Sequence, residues 1–147
     1  MPAGYDGHVK TCLSWVILAA VFVTAQFAQE RRSTRDGVYT EAQASRGQGA
    51  YKKSCGTCHG ETLMGSGAAI PPLAGSDFTD QWAGQTADDL FERMQTTMPG
   101  DHPGTLARAT NADILAYILQ VNKLPAGKHE LPTDADALKQ IQFEAAQ

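Results

Sequence analysis

The sequence predicts an all-α fold in one domain, and three observations carry that prediction. Residues 109–122, ATNADILAYILQVN, place Ile114, Tyr117, Ile118 and Val121 at spacings of 3, 4 and 7, so one apolar stripe runs along a helix. Capping signals stand before two segments: Thr40 with Gln43 ahead of an alanine-containing stretch, and Thr110 with Asp113 ahead of the apolar stripe. No run of alternating apolar and polar residues is long enough to be a useful strand. The chain of 147 residues suffices for one core and is short for two.

The elements are read in chain order. Leu13 to Val23 (LSWVILAAVFV) is an apolar run of 11 residues after Lys10, followed by small residues. It has the pattern of an export signal over residues 1–25, cut after Ala25 or, in the alternative, after Ala28. A comfortable membrane span needs about 20 apolar residues, so contact with a membrane is expected only if this segment stays uncleaved as an anchor. Residues 26–39 (QFAQERRSTRDGVY) are polar and aperiodic and read as a flexible linker, with the domain proper at 40–147. The first helix is expected from Thr40 to about Lys53, with Gly47 and Tyr51 one turn apart on the same face. A helix glycine costs about 1 kcal/mol against alanine, and close approach of a second helix is one reason to keep it. A shorter helix is expected over Thr86 to about Gln95, with acids in its first turn and Leu90, Phe91 and Met94 on one side. The helix at 110–122 follows, and a last short one runs from Asp134 to Gln140 in a C-terminal tail from about residue 126. Three or four helices with long loops result. Most of the 14 glycines and seven prolines fall in the middle of the chain, where the loops are expected.

A formal net charge of −4 gives no reason to expect a nucleic-acid partner. The chemistry rests on SCGTCHG, residues 54–60. A redox dithiol requires a preceding buried strand, and here a helix precedes the pair. Structural zinc requires four ligands, and there is no second paired motif. A disulfide across two residues closes a tiny loop and stabilises little. None of these explains the histidine that follows Cys58. Covalent haem attachment does: Cys55 and Cys58 each add to a vinyl group, and His59 supplies an imidazole nitrogen to the iron.

With these residues in place, the chain resembles class I (monohaem) cytochromes c over residues 40 to about 125. Gly47 and Tyr51 before Cys55–His59 are similar to that family's N-terminal helix, and Ile114 to Leu119 to the C-terminal helix that crosses it at the glycine. The segment Pro71-Pro72-Leu73-Ala74-Gly75 is similar to the family's P-x-L-x-G. The resemblance implies a cytochrome c-like fold around one covalent haem c, with the Pro71 carbonyl accepting the proton on the far nitrogen of His59 and Leu73 beside the haem. The segments GQTADDLFERMQTTMPG and LPTDADALKQI also resemble the haem domains and small partner cytochromes of quinoprotein alcohol and sugar dehydrogenases, which use pyrroloquinoline quinone (PQQ).

For the second axial ligand the candidates are Met64, Met94, Met98, His102 and His129. Met64 follows His59 too closely, Met94 lies on an apolar helix face, and the two histidines stand in polar loops. Met98, in TTMPG, fits the family's Met-Pro position and is the expected ligand, so His59 and Met98 form the metal set. Phe78, Trp82, Leu90 and Phe91 are candidate pocket walls. Because two protein ligands leave no open iron position, electron transfer is expected rather than oxygen chemistry. No nucleophile–base constellation is present, so no catalytic residues are assigned and the chain is read as a carrier rather than an enzyme. The expectation is a periplasmic or secreted carrier taking electrons from a PQQ-dependent dehydrogenase towards a terminal oxidase or other acceptor. The alternative is a tightly bound haem subunit of such a dehydrogenase, and a thiol–disulfide or metal-binding module is the rival from another class.

Overall fold

The structure is a computed structural model that describes residues 30–67 and 69–144. The expected export signal over 1–25 and both of its cleavage positions lie outside the described residues. Among those described, no helix is long and apolar enough to cross a membrane.

Among the described residues, six helices and two very short strands follow in order: β1 (Arg32–Ser33), α1 (Glu41–Ser54), α2 (Gly56–His59), α3 (Ser76–Trp82), α4 (Ala87–Thr97), α5 (Arg108–Val121), α6 (Ala135–Lys139) and β2 (Ile141–Gln142). The all-α reading holds, with two helices more than the sequence suggested. Helix α3 (SDFTDQW) follows Gly75 without a side-chain cap, and two turns are too few to show a period. Helix α2 is one turn, formed by the CxxCH motif itself.

The frame is the pair α1 and α5. Thr40 caps α1 by accepting from the Gln43 backbone N–H at 3.1 Å. The reciprocal half of the capping box does not form, because the buried Gln43 side chain pairs with the Leu131 backbone instead, donating at 3.1 Å and accepting at 2.7 Å. Helix α5 begins two residues before the expected Thr110 cap, at Arg108, with Ala107 in the uncapped N-cap position. Asp113 has left that capping role: it receives both ends of the Arg46 guanidinium, at 3.0 and 2.9 Å, across the helix crossing. At that crossing α1 and α5 meet backbone to backbone. A Cβ on Gly47 would sit 1.7 Å from the Asp113 carbonyl oxygen, so only glycine fits. Gly49 has nothing within 4 Å of its would-be Cβ, and packing gives no reason for it.

Helix α4 starts with a complete capping box between Thr86 and Asp89. Its apolar side (Leu90, Phe91, Met94) is buried in the common core, and the Arg108 guanidinium lies 4.5 Å above the Phe91 ring.

Residues 30–39, read from sequence as flexible linker, are instead part of the fold from β1 onward. β1 pairs in parallel with β2, Thr34, Val38 and Tyr39 are buried, and the Tyr39 hydroxyl donates to the Leu124 carbonyl at 2.7 Å. The tail is equally integral. Leu131, Leu138, Ile141 and Phe143 enter the core, and Phe143 exchanges backbone hydrogen bonds with Gly84 and Gln85. Phe143 also meets Phe78 edge-on at 6.1 Å and Trp82 at 6.3 Å. The two strands are too short to leave an alternating pattern, which is why they escape a sequence reading.

One buried group stands out. Asp88, in the first turn of α4, has an Oδ1 without a hydrogen-bond partner. Burial raises its pKa, Lys139 and Arg108 oppose that rise, and Glu92 and Asp89 add to it. A carboxyl whose folded pKa lies above its unfolded value holds its proton more tightly when folded. Its contribution to stability is therefore complete below about pH 4 and is lost as pH rises through the folded value.

Two predictions follow from this frame. Gly47→Ala forces the helices apart and is expected to cost at least about 2 kcal/mol in chemical unfolding, whereas Gly49→Ala is expected to gain up to about 1 kcal/mol. Asp88→Asn is expected to raise stability near pH 7 by about 1 kcal/mol and to leave it nearly unchanged below pH 4, as read from denaturant midpoints at the two pH values.

Candidate haem site

The site is built on the end of α1 and the loops that follow. The α1 helix passes Cys55 as its C-cap, with the Cys55 N–H bonded to the Tyr51 carbonyl at 2.8 Å. The next turn, α2, carries Cys58 and His59, whose N–H groups both return to the Cys55 carbonyl. Cys55 is half-buried and Cys58 exposed, and both are free thiols. Burial pushes the Cys55 thiol up to about 11, with the neighbouring Cys58 adding to the rise. An exchange-active thiol needs a depressed pKa, and burial moves Cys55 the other way. Among the described residues, no group of three or more His, Cys, Asp or Glu side chains is arranged to hold a metal ion.

His59 is only 7% exposed. Its Nδ1 lies 3.1 Å from the Pro71 carbonyl oxygen, which accepts from the ring N–H. That contact fixes the tautomer and leaves Nε2 as the ring nitrogen free to bind a metal. Of the two adjacent prolines, it is therefore the Pro71 carbonyl that meets the ring. Tyr51 secures the backbone behind the histidine, donating its hydroxyl to the Gly60 carbonyl at 2.7 Å. Burial raises the Tyr51 pKa, so the phenol stays a donor over the whole working range.

The remaining candidates sort by environment. Leu73 is half-buried, packs against the core and donates its N–H to the Leu63 carbonyl at 2.7 Å. Met98 is half-buried at the C-cap of α4, its N–H on the Met94 carbonyl at 3.1 Å. Met94 is buried in the core and Met64 is 58% exposed. The His102 side chain is 74% exposed and paired with Asp101 at 3.2 Å, and His129 is exposed. Phe78 and Phe91 are wholly covered by protein neighbours, Phe78 by the Trp82 and Phe143 rings, and so serve the core. Residues that a sequence reading missed are Gly65 and Asn122, which brace the loop carrying Pro71. Neither belongs to a motif, and no periodicity points to them.

Two cysteines and an oriented imidazole in a CxxCH turn, held by a helix pair that crosses at a glycine, define a c-type cytochrome. The family profile described as cytochrome c oxidase, cbb3-type, subunit III matches residues 42–118, more than half of the chain. The chain belongs to this family of c-type cytochromes, and it is accordingly an electron-transfer protein with covalently bound haem c rather than an enzyme. No curated protein sequence matches it significantly. Among solved structures, the chain is similar to the sulfane dehydrogenase SoxCD from Paracoccus pantotrophus at 16% identity, with a TM-score of 0.51 over 97% of this chain and 68% of that one. At that identity the likeness concerns the fold alone, and it agrees with the cytochrome c-like architecture.

Removing the Tyr51 hydroxyl while keeping the ring isolates one brace of the site. Tyr51→Phe is expected to lower stability by about 1 kcal/mol in denaturant unfolding of the holoprotein, with the haem still attached.

Proposed function

We propose that the chain is an exported monohaem carrier of single electrons in which Cys55 and Cys58 hold the haem by thioether bonds and His59 and Met98 bind the iron. The observation that carries the reading is the contact between His59 Nδ1 and the Pro71 carbonyl oxygen, which leaves a buried imidazole with Nε2 free beside two free thiols. The bound haem supplies a ferrous–ferric couple. The protein's own part is to hold and orient. Cys55 and Cys58 would fix the group to one turn, Pro71 would set the plane and basicity of the imidazole, and Met98, the C-cap of α4, would supply the second ligand. Met98 is supported by its setting: it is half-buried beside the core, whereas Met94 is buried in the core and Met64, His102 and His129 are exposed. A thioether opposite an imidazole raises the potential relative to two imidazoles.

The export reading rests on the apolar run Leu13–Val23, and a periplasmic or secreted site of action follows from it. For the electron donor we propose a dehydrogenase, and a quinoprotein using PQQ is the specific form suggested by two sequence segments. One of them contains α4 and the other contains α6 and ends on Ile141, the first residue of β2. These segments pack on each other through α4 and α6.

The visible spectra of the exported protein, oxidised and reduced, test the reading. Met98→Ala is expected to abolish the axial-methionine band and to lower the potential, with the haem still covalently bound. An unchanged band would reassign the ligand.

A further inference from the structure

We propose that Asn122 and Gly65 are positioning residues that set the hydrogen bond between His59 Nδ1 and the Pro71 carbonyl, and through it the potential of the iron couple. The inference rests on the electron-carrier reading above and concerns residues that touch neither a thiol nor the imidazole.

The Pro71 carbonyl belongs to an irregular segment, which by itself would hold a peptide plane poorly. Three independent contacts fix it. Asn122, at the C-cap of α5, donates from Nδ2 to the Leu73 carbonyl at 2.9 Å and to the Ile118 carbonyl at 2.8 Å. Its Oδ1 accepts from the Gly75 N–H at 3.0 Å. Both amide N–H groups and the oxygen thus have partners that dictate the orientation, and the amide ties the segment two and four residues after Pro71 to the end of α5. On the other side the Leu73 N–H reaches the carbonyl of Leu63, a buried residue held at φ 62°.

Gly65 supplies the third contact. It has φ 64°, its N–H donates to the His59 carbonyl at 3.0 Å, and a Cβ built on it would stand 2.1 Å from the Ile70 carbonyl oxygen. The same Cβ would stand 2.8 Å from the Pro71 oxygen, the atom that accepts from His59. Glycine therefore lets one loop press on the acceptor of the bond while holding the backbone of its donor. Any larger residue pushes the acceptor away.

The chemical consequence has a definite sign. A strong acceptor at Nδ1 gives the ring partial imidazolate character and makes Nε2 a better donor, which favours ferric iron and lowers the potential. Loosening either contact weakens that bond and raises the potential.

The test uses the holoprotein and the neutral substitutions Asn122→Leu, which keeps the branching and number of side-chain heavy atoms, and Gly65→Ala. Gln43→Ala is the control: it breaks the two hydrogen bonds to Leu131 and so loses stability at a place without contact to the Pro71 loop. Potentials are read by spectroelectrochemistry, and the exchange rate of the His59 Nδ1 proton by NMR of the ferrous protein. Both site variants are expected to raise the potential and to speed exchange by about tenfold or more, while Gln43→Ala changes neither. Because Asn122→Leu puts no atom against Pro71, it keeps the proposal open to refutation even if Gly65→Ala fails to fold. A reversible couple that Asn122→Leu leaves unmoved, or that Gln43→Ala moves equally, overturns the clamp. Wild-type protein without a reversible haem couple overturns the reading beneath it instead.

Discussion

Everything in this molecule is referred to the contact between Gly47 and the Asp113 carbonyl. With no side chain at residue 47, α1 and α5 cross at backbone distance, and their remaining residues interlock around that point. The crossing fixes where α1 ends, and α1 ends on Cys55. It also fixes where α5 ends, and α5 ends on Asn122. The two termini of the helix pair therefore address the two halves of the site, the thiol-bearing turn and the Pro71 loop. Arg46 closes the crossing at the surface by joining Asp113 and Glu130, but it is half-exposed and its ion pairs add little beside the packing.

A covalent cofactor changes what the surrounding protein must achieve. Affinity is supplied by two bonds, so the fold has mainly to orient one imidazole and to keep water from it. The structure shows this division. His59 is almost fully enclosed, with its ring on the Pro71 carbonyl, its own carbonyl on the Gly65 N–H and the next residue's carbonyl on the Tyr51 hydroxyl. The N-terminal arm and the C-terminal tail then close the far side of the core. Phe143 locks against the α3 aromatics, and β2 joins the arm through β1.

How much of this could be read from the sequence depends on how local each cause is. The cap of α1 at Thr40 and the first-turn acids of α4 were legible because their causes lie within four residues. So was the apolar stripe of α5, and so was the close approach at Gly47, because a glycine inside a helix carries a cost that needs a reason. Gln43 and Asp113 misled for the same reason in reverse: each has the spacing of a capping residue, but a distant partner, Leu131 or Arg46, outcompetes the local one. Arg32 and Ser33 show nothing locally because their order comes from residues 140–142 at the other end of the chain. In the site, the CxxCH turn and the Pro71 acceptor were legible as motifs. Asn122 was not, since a polar residue closing a helix is unremarkable until its three partners are known.

The central claim is that Cys55 and Cys58 are thioether donors rather than thiols at work. Mass spectrometry of the exported chain, denatured and treated with an alkylating reagent, tests it most directly. The account predicts that haem stays with the peptide containing residues 54–60 and that neither cysteine is alkylated. Two alkylated cysteines on a peptide free of haem would contradict it.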